Sequence, residues 1–197
     1  MNSLKSIVTI NEAPKEEQSI CVTCGMCCDG TLFFHAHLNP GERGHLPEKI
    51  EKNSFSKEGK DYFKLPCLYF NEKCTIYDRK RADVCSGYRC QMLMDFAEGK
   101  VIRSDAIEIV KGAMDMREVI MKEYRRVTGN NESVAFRQLL MELGKIRKSA
   151  PGNEQSDMDY EILQARCNIF VALLTKHIRS SIDFDKMMVS EEVKRIK

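Results

Sequence analysis

From about residue 100 onward, apolar residues return every third or fourth position, the spacing of helices that each bury one face. Ile107, Val110, Met114, Ile120, Met121 and Tyr124 form the first such stripe. Asp105 with Glu108 three residues on reads as a capping box at its start, and Gly129-Asn130 as its stop. A second helix follows Asn131 and carries Phe136, Leu139, Leu140, Leu143 and Ile146 on one face. SAPGNEQS (149–156) interrupts the pattern. A third helix over about 158–179 aligns Leu163, Cys167, Phe170 and Leu174, and a short fourth gathers Phe184, Met187, Met188 and Val193. These stripes read as faces packed on one another, with methionines filling gaps. Cys167, in mid-stripe, reads as an inert core thiol.

Before residue 95 the pattern is different. TLFFHAHL (31–38) and DYFKLPCLYF (61–70) are short apolar runs of strand length. Turn chemistry at CDG (28–30), NPGERG (39–44), SKEGKD (56–61) and FNEK (70–73) separates them. The chain is therefore expected to be mostly α. A loop-rich, irregular α+β portion over 1–95 would precede a helical portion of three to four helices over 96–197 that packs on it. No internal repeat is present.

The 197 residues suit one domain with an appendage, and 43% hydrophobic and 30% charged residues suit a real core under a soluble surface. A net charge of +2 is too small to argue for nucleic acid, and no nucleic-acid partner is expected. No eighteen apolar residues run together, and MNSLKSIVTINEAPKEEQSI has no apolar core of leader length. The expectation is a cytoplasmic protein, without a membrane partner, whose thiols stay reduced.

Cysteine changes this picture most. Eight of the nine cysteines lie between Cys21 and Cys90, four of them in CVTCGMCCDG (21–30). An odd total in a reducing compartment argues against disulfides. Two-residue gaps let Cys21, Cys24 and Cys27 turn back toward one ion. Gly25 frees the backbone so that amides can face sulfur. The run also equals the three-ligand part of a ferredoxin-type iron–sulfur loop, whose fourth ligand comes from farther along the chain, with Cys67 after Pro66 as a candidate. Neighbouring side chains diverge, so Cys27 and Cys28 are expected to serve different ends. Eight thiols at four per site make two sites, but spacing does not say which sulfurs share one. A loop-rich segment with few periodic runs needs such a constraint to fold. Lys64, Lys73, Arg79, Lys80, Arg81 and Arg89 are candidates to offset thiolate charge, or simply a solvated face.

These residues carry a resemblance. CVTCGMCC, Pro66-Cys67 and CTIYDRKRADVCSGYRC (74–90) resemble the CxxCxxCC (YkgJ-type) cysteine-cluster family, described as zinc- or iron-chelating. The resemblance implies a metal-ligand set of Cys21, Cys24, Cys27, Cys28, Cys67, Cys74, Cys85 and Cys90, with Ile76, Tyr77 and Tyr88 in its C-x-I-Y and Y-x-C elements. Lys80-Arg81-Ala82 and Ser86 depart from it, and the spacing from Tyr77 to Cys85 is one residue longer. The match covers about 18–95. A similar cluster in flagellin lysine methylases is associated with an iron–sulfur centre, which tilts the implied cofactor toward iron over Zn2+.

Other candidates are weaker. His35 and His37 share a strand face and, with His45, lie near the cysteine loop, while His177 reads as structural. Cys28 as a catalytic thiol would need a base within hydrogen-bond reach. GERG (41–44) lacks the Lys-Ser/Thr of a phosphate loop, and no glycine-rich signature for S-adenosylmethionine or a dinucleotide is present. Three classes follow. The first is an iron–sulfur protein, with or without a zinc ion, in a redox, sensing or accessory role. The second is a zinc-stabilised binding module without catalysis. The third is a methylase-related protein-modifying enzyme or its accessory subunit. The expected partner is another protein, engaged through the helical portion.

Overall fold

A computed structural model describes residues 14–132, 134–149 and 154–179, without the side chains of 145–149 and 154–157. The Ile146 side chain, residues 150–153 of the expected break at 149–156, the N-terminal stretch up to residue 13 and the expected helix at Phe184–Val193 lie outside what is described. The elements run α1 (Lys15–Cys24), β1 (His35–Leu38), α2 (Glu48–Lys52), β2 (Ser54–Lys57), β3 (Lys60–Lys64), β4 (Phe70–Asn71), β5 (Lys73–Cys74), α3 (Asp83–Gly87), α4 (Gln91–Ala97), α5 (Arg103–Thr128), α6 (Phe136–Ser149) and α7 (Glu154–His177). The protein is mostly helical, with a small antiparallel sheet ordered β1-β3-β2 and a minimal β4-β5 ribbon.

The long helices follow their stripes. Helix α5 buries Ala106, Val110, Ala113, Ile120 and Tyr124, and it ends at Gly129 in the left-handed conformation. Its start differs from the capping box expected at Asp105–Glu108. The helix already begins at Arg103 after Ile102, with no side-chain cap, so Asp105 lies inside the first turn and complements the exposed amides there. Helix α6 begins only at Phe136, and α7 begins at Glu154, one turn ahead of the expected start. Leu163, Cys167, Phe170 and Leu174 are buried as a stripe, and Phe170 meets Phe136 edge-to-face at 4.8 Å.

The first ninety-five residues hold more regular structure than their turn chemistry suggests. Strand is confined to His35–Leu38 within the 31–38 run, and to Lys60–Lys64 at the start of the 61–70 run, where the chain then bends at Pro66. A third strand, Ser54–Lys57, joins β3 through a two-residue turn at Glu58-Gly59, both at positive φ, and FNEK closes the β4-β5 ribbon. GERG is a turn. The unexpected element is α1. Its polar start hides a buried face made of Ile20 and Glu17, the latter only 3% exposed and paired with Arg89, whose Nε donates to its carboxylate at 2.9 Å.

The two portions share one core. Met26 and Leu32, fully buried, join Ala113, Ile120, Tyr124, Phe136, Leu139, Leu163 and Phe170 in a single cluster. Ile20 of α1 packs with Met92 and Leu93 of α4 and Ala106 and Val110 of α5. The Gln91 amide donates to the Ile178 carbonyl at 3.0 Å, which ties the residue after Cys90 to the end of α7. The inner face of the sheet forms a third cluster with Leu38, Ile50, Phe63, Ile76 and Ala82. Among the described residues, no helix is long and apolar enough to cross a membrane.

Candidate metal centre

Helix α1 delivers the first two thiols. Three residues apart in its last turn, Cys21 and Cys24 share a face. The helix stops at Gly25, φ 60°, whose amide closes on the Cys21 carbonyl at 3.1 Å. The chain then folds over itself: the amides of Cys28 and Asp29 both donate to the Gly25 carbonyl, at 2.8 and 3.0 Å. This tight curl brings Cys27 and Cys28 back beside α1. A side chain at position 25 is excluded twice over, by φ and by the Phe70 ring, which a Cβ would meet at 2.5 Å.

The remaining four thiols arrive from four separate places. Cys67 is fixed to the loop by its own amide, which donates to the Cys28 carbonyl at 2.7 Å. Cys74 ends β5 and Cys85 sits within α3. Cys90 immediately precedes α4. All eight are free and partly buried.

They border two adjoining cavities. A small cavity of about 40 Å³ is bordered by Cys21, Cys24, Cys27, Cys28 and Cys90. A larger one of about 400 Å³ is bordered by Cys21, Cys27, Cys28, Cys67, Cys74 and Cys85, with apolar walls that include Phe33, Phe70 and Tyr77. Mutual repulsion distinguishes Cys27 from Cys28, which both border the two cavities. Burial pushes the Cys27 thiol well up, and Cys24, Cys21 and Cys90 push it further before Cys28 does. Cys28 is raised by burial and then by Cys85, Cys67 and Cys74. Cys24, pushed up to about 12 by burial, feels Cys90 and Cys21. Cys85, also pushed up to about 12 by burial, feels Cys67 and Cys74. Cys24, Cys27 and Cys90 thus act chiefly on one another and on Cys21, and Cys28, Cys67, Cys74 and Cys85 chiefly on one another. Cys21 is raised by burial first, then by Cys90 and also by Cys74, and it borders both cavities.

Backbone dipoles already face several sulfurs. The Met26 amide faces Cys24, those of Tyr69 and Phe70 face Cys67, and those of Met92 and Leu93 face Cys90, each holding the thiol's pKa down. An amide two residues on from a cysteine is the arrangement that favours thiolate over thiol. The eight thiols are nonetheless gathered rather than closed: among the described residues, no three Cys, His, Asp or Glu side chains stand in metal-holding geometry.

Of the six basic candidates, Lys64, Lys73, Arg79 and Lys80 are exposed, and Arg89 is engaged with Glu17. Arg81 does lie among the thiols, where its charge lowers the pKa of Cys21 and Cys85, and it covers the Tyr77 ring at 4.1 Å. The second such cation, Arg117, comes from the middle of α5, pairs with Asp29 and lowers the pKa of Cys24. No motif near the cysteines announces it. His35 and His37 border the larger cavity but lie exposed against Tyr62, and His45 is exposed in a turn. Burial lowers the His177 pKa, in keeping with a structural place beside the core. Cys167 stands apart, 1% exposed and pushed up to about 12 by burial alone. Comparison of this chain with family models, curated proteins and solved structures finds no match.

Proposed function

We propose that this chain is a cysteine-cluster metal protein that holds iron as an iron–sulfur cluster, with or without a separate zinc ion, in a redox, sensing or accessory role. The single observation that carries the reading is the gathering of eight reduced, half-buried thiols around two adjoining cavities, which we read as two sets, Cys21, Cys24, Cys27 and Cys90 in one and Cys28, Cys67, Cys74 and Cys85 in the other. Burial and mutual repulsion raise most of these thiols, so gathering them has no benefit unless a cation takes the place of their protons. Arg81, Arg117 and the inward-facing amides then offset the remaining negative charge. Soft thiolate donors select iron–sulfur clusters or zinc over oxygen-loving cations. The C-x2-C-x2-C run completed by a distant Cys90 has the composition of a cluster loop, and the likeness to the CxxCxxCC family points the same way.

The count of four sulfurs in each set favours a second reading, a zinc-stabilised module. A closed four-thiolate zinc site has no open position and performs no chemistry. Metal and acid-labile sulfide analysis of protein isolated without oxygen separates the two. Brown protein with iron and matching sulfide is the expected result. Colourless protein with about two zinc ions per chain transfers the reading to the module, and protein with neither metal sinks both. Cys90→Ser should remove metal from one set, and Cys85→Ser from the other. Loss of all metal from either variant alone would break the grouping.

A further inference from the structure

The outer face of the three-stranded sheet is built differently from a surface that only needs to be wet. Alternation along β1 and β3 sends Leu38 and Phe63 inward, 1% and 2% exposed. It leaves His35, His37 and Tyr62 on the other side, where Phe55 of β2 stands opposite Tyr62 in the register. Tyr62 is the hub: His35 and His37 meet it edge-on at 4.8 and 5.4 Å, and Phe55 stacks on it at 5.5 Å and 23°. Three lysines frame this aromatic patch. Lys64 lies across from His35, and Lys57 and Lys60 lie across from each other. All three are exposed, and none is ion-paired among the described residues. The nearby carboxylate of Asp61 belongs to the opposite face, held by Ser56 Oγ at 2.5 Å and Arg43 at 3.3 Å. Glu58 lies in the adjoining turn.

This arrangement works against the fold's own stability. Like charges directly opposite in an antiparallel pair are destabilising, and the half-buried rings of Phe55 and Tyr62 bury less apolar area than the same rings would in a core. An aromatic cluster framed by cations outside any ion pair, with the strand acid Asp61 turned to the other face and held by Arg43, matches a ligand of planar bases joined by phosphates. We propose that this face binds single-stranded nucleic acid, with bases stacking on Tyr62, Phe55 and the two histidines and phosphates held by Lys57, Lys60 and Lys64. The near-neutral whole-chain charge hides this, because the basic residues of the face are balanced by acids elsewhere. The proposal does not depend on the identity of the metal.

The test is fluorescence anisotropy of end-labelled 20-nucleotide thymidine and uridine oligomers with the full-length protein as isolated. Binding with a Kd on the order of 10 µM at low salt, weakening as salt rises, is expected. Replacing Lys57, Lys60 and Lys64 together by Gln should lower the slope of log affinity against log salt by about 2, from about 0.7 per lost phosphate contact. Phe55→Ala should weaken binding about tenfold and leave that slope unchanged. The lysines are exposed and Phe55 is half-buried, and unchanged circular dichroism and metal content establish that both variants are folded. No anisotropy change up to about 100 µM protein, or a triple variant that binds like the parent, overturns the proposal. Competition by polyglutamate as effective as by unlabelled oligomer also overturns it and identifies an acidic protein as the occupant.

Discussion

Single cysteines in this chain have opposite fates, and burial without company is what separates Cys167 from the other eight. It lies in the α7 stripe with no thiol or cation near enough to shift it, and desolvation alone pushes it up to about 12 from 9.0. A thiol whose pKa is higher folded than unfolded contributes stability below pH 9, and that contribution is lost as pH rises toward 12. Two consequences follow for the folded protein. At pH 8, Cys167 should not react with iodoacetamide, because its sulfur is covered, whereas the other eight, several with pKa values raised as far, are only half-buried. After metal removal the other eight should label, and mass spectrometry should find the ninth only in denaturant. Labelling of Cys167 under native conditions would show that the α7 stripe opens. This residue's role was legible from its place in an apolar stripe. The role of Arg117 was not, because a cation in the middle of a helix carries no mark of the loop that its guanidinium meets.

At the scale of elements, the end of α1 governs the site more than any strand does. Gly25→Ala would place a Cβ 2.5 Å from the Phe70 ring in a backbone conformation that L-residues resist. The expected cost is at least about 1 kcal/mol from φ alone, and more from the clash. Urea denaturation should show it, together with reduced metal content. Phe70→Leu should relieve part of the loss and leave the φ component. Retained stability and metal in Gly25→Ala would mean that the curl after α1 does not organise the thiols. The same helix marks where sequence reading stops. Helices α5, α6 and α7 announce themselves because their buried positions are apolar at helical spacing. In α1 one buried position is Glu17, neutralised by an arginine 72 residues away, so the stripe is invisible to any hydrophobic pattern. The strands were legible as apolar runs, but their ends were not, because Pro66 and the loop at 31–34 divert chain that still reads as strand. The crowding of eight cysteines was legible from the chain, but which of them border the same cavity was not, because Cys67, Cys74, Cys85 and Cys90 reach it from separate parts of the fold.

For the whole molecule, the decisive feature is that the cysteine-rich part and the helices do not own separate cores. Met26, between two candidate ligands, is as buried among the helices as Phe170 is. The Arg137 Nη1 donates to the Leu32 carbonyl at 3.0 Å, and Arg117 of α5 holds Asp29. If metal holds the curl of residues 25–32, releasing it frees Met26 and Leu32 from their helical sockets as well. Losing two such side chains from a packed core costs several kcal/mol, about 2–5 for each when truncated. That is a large part of the 5–15 kcal/mol by which a domain of this size is stable. Chelation should therefore lower the stability of the whole chain in one step: calorimetry should show a single transition shifted down, with helical circular dichroism and tyrosine fluorescence lost together. Two separated transitions, with the helices melting unchanged after chelation, would mean that the cysteine portion is an appendage and that the shared cluster around Met26 contributes little.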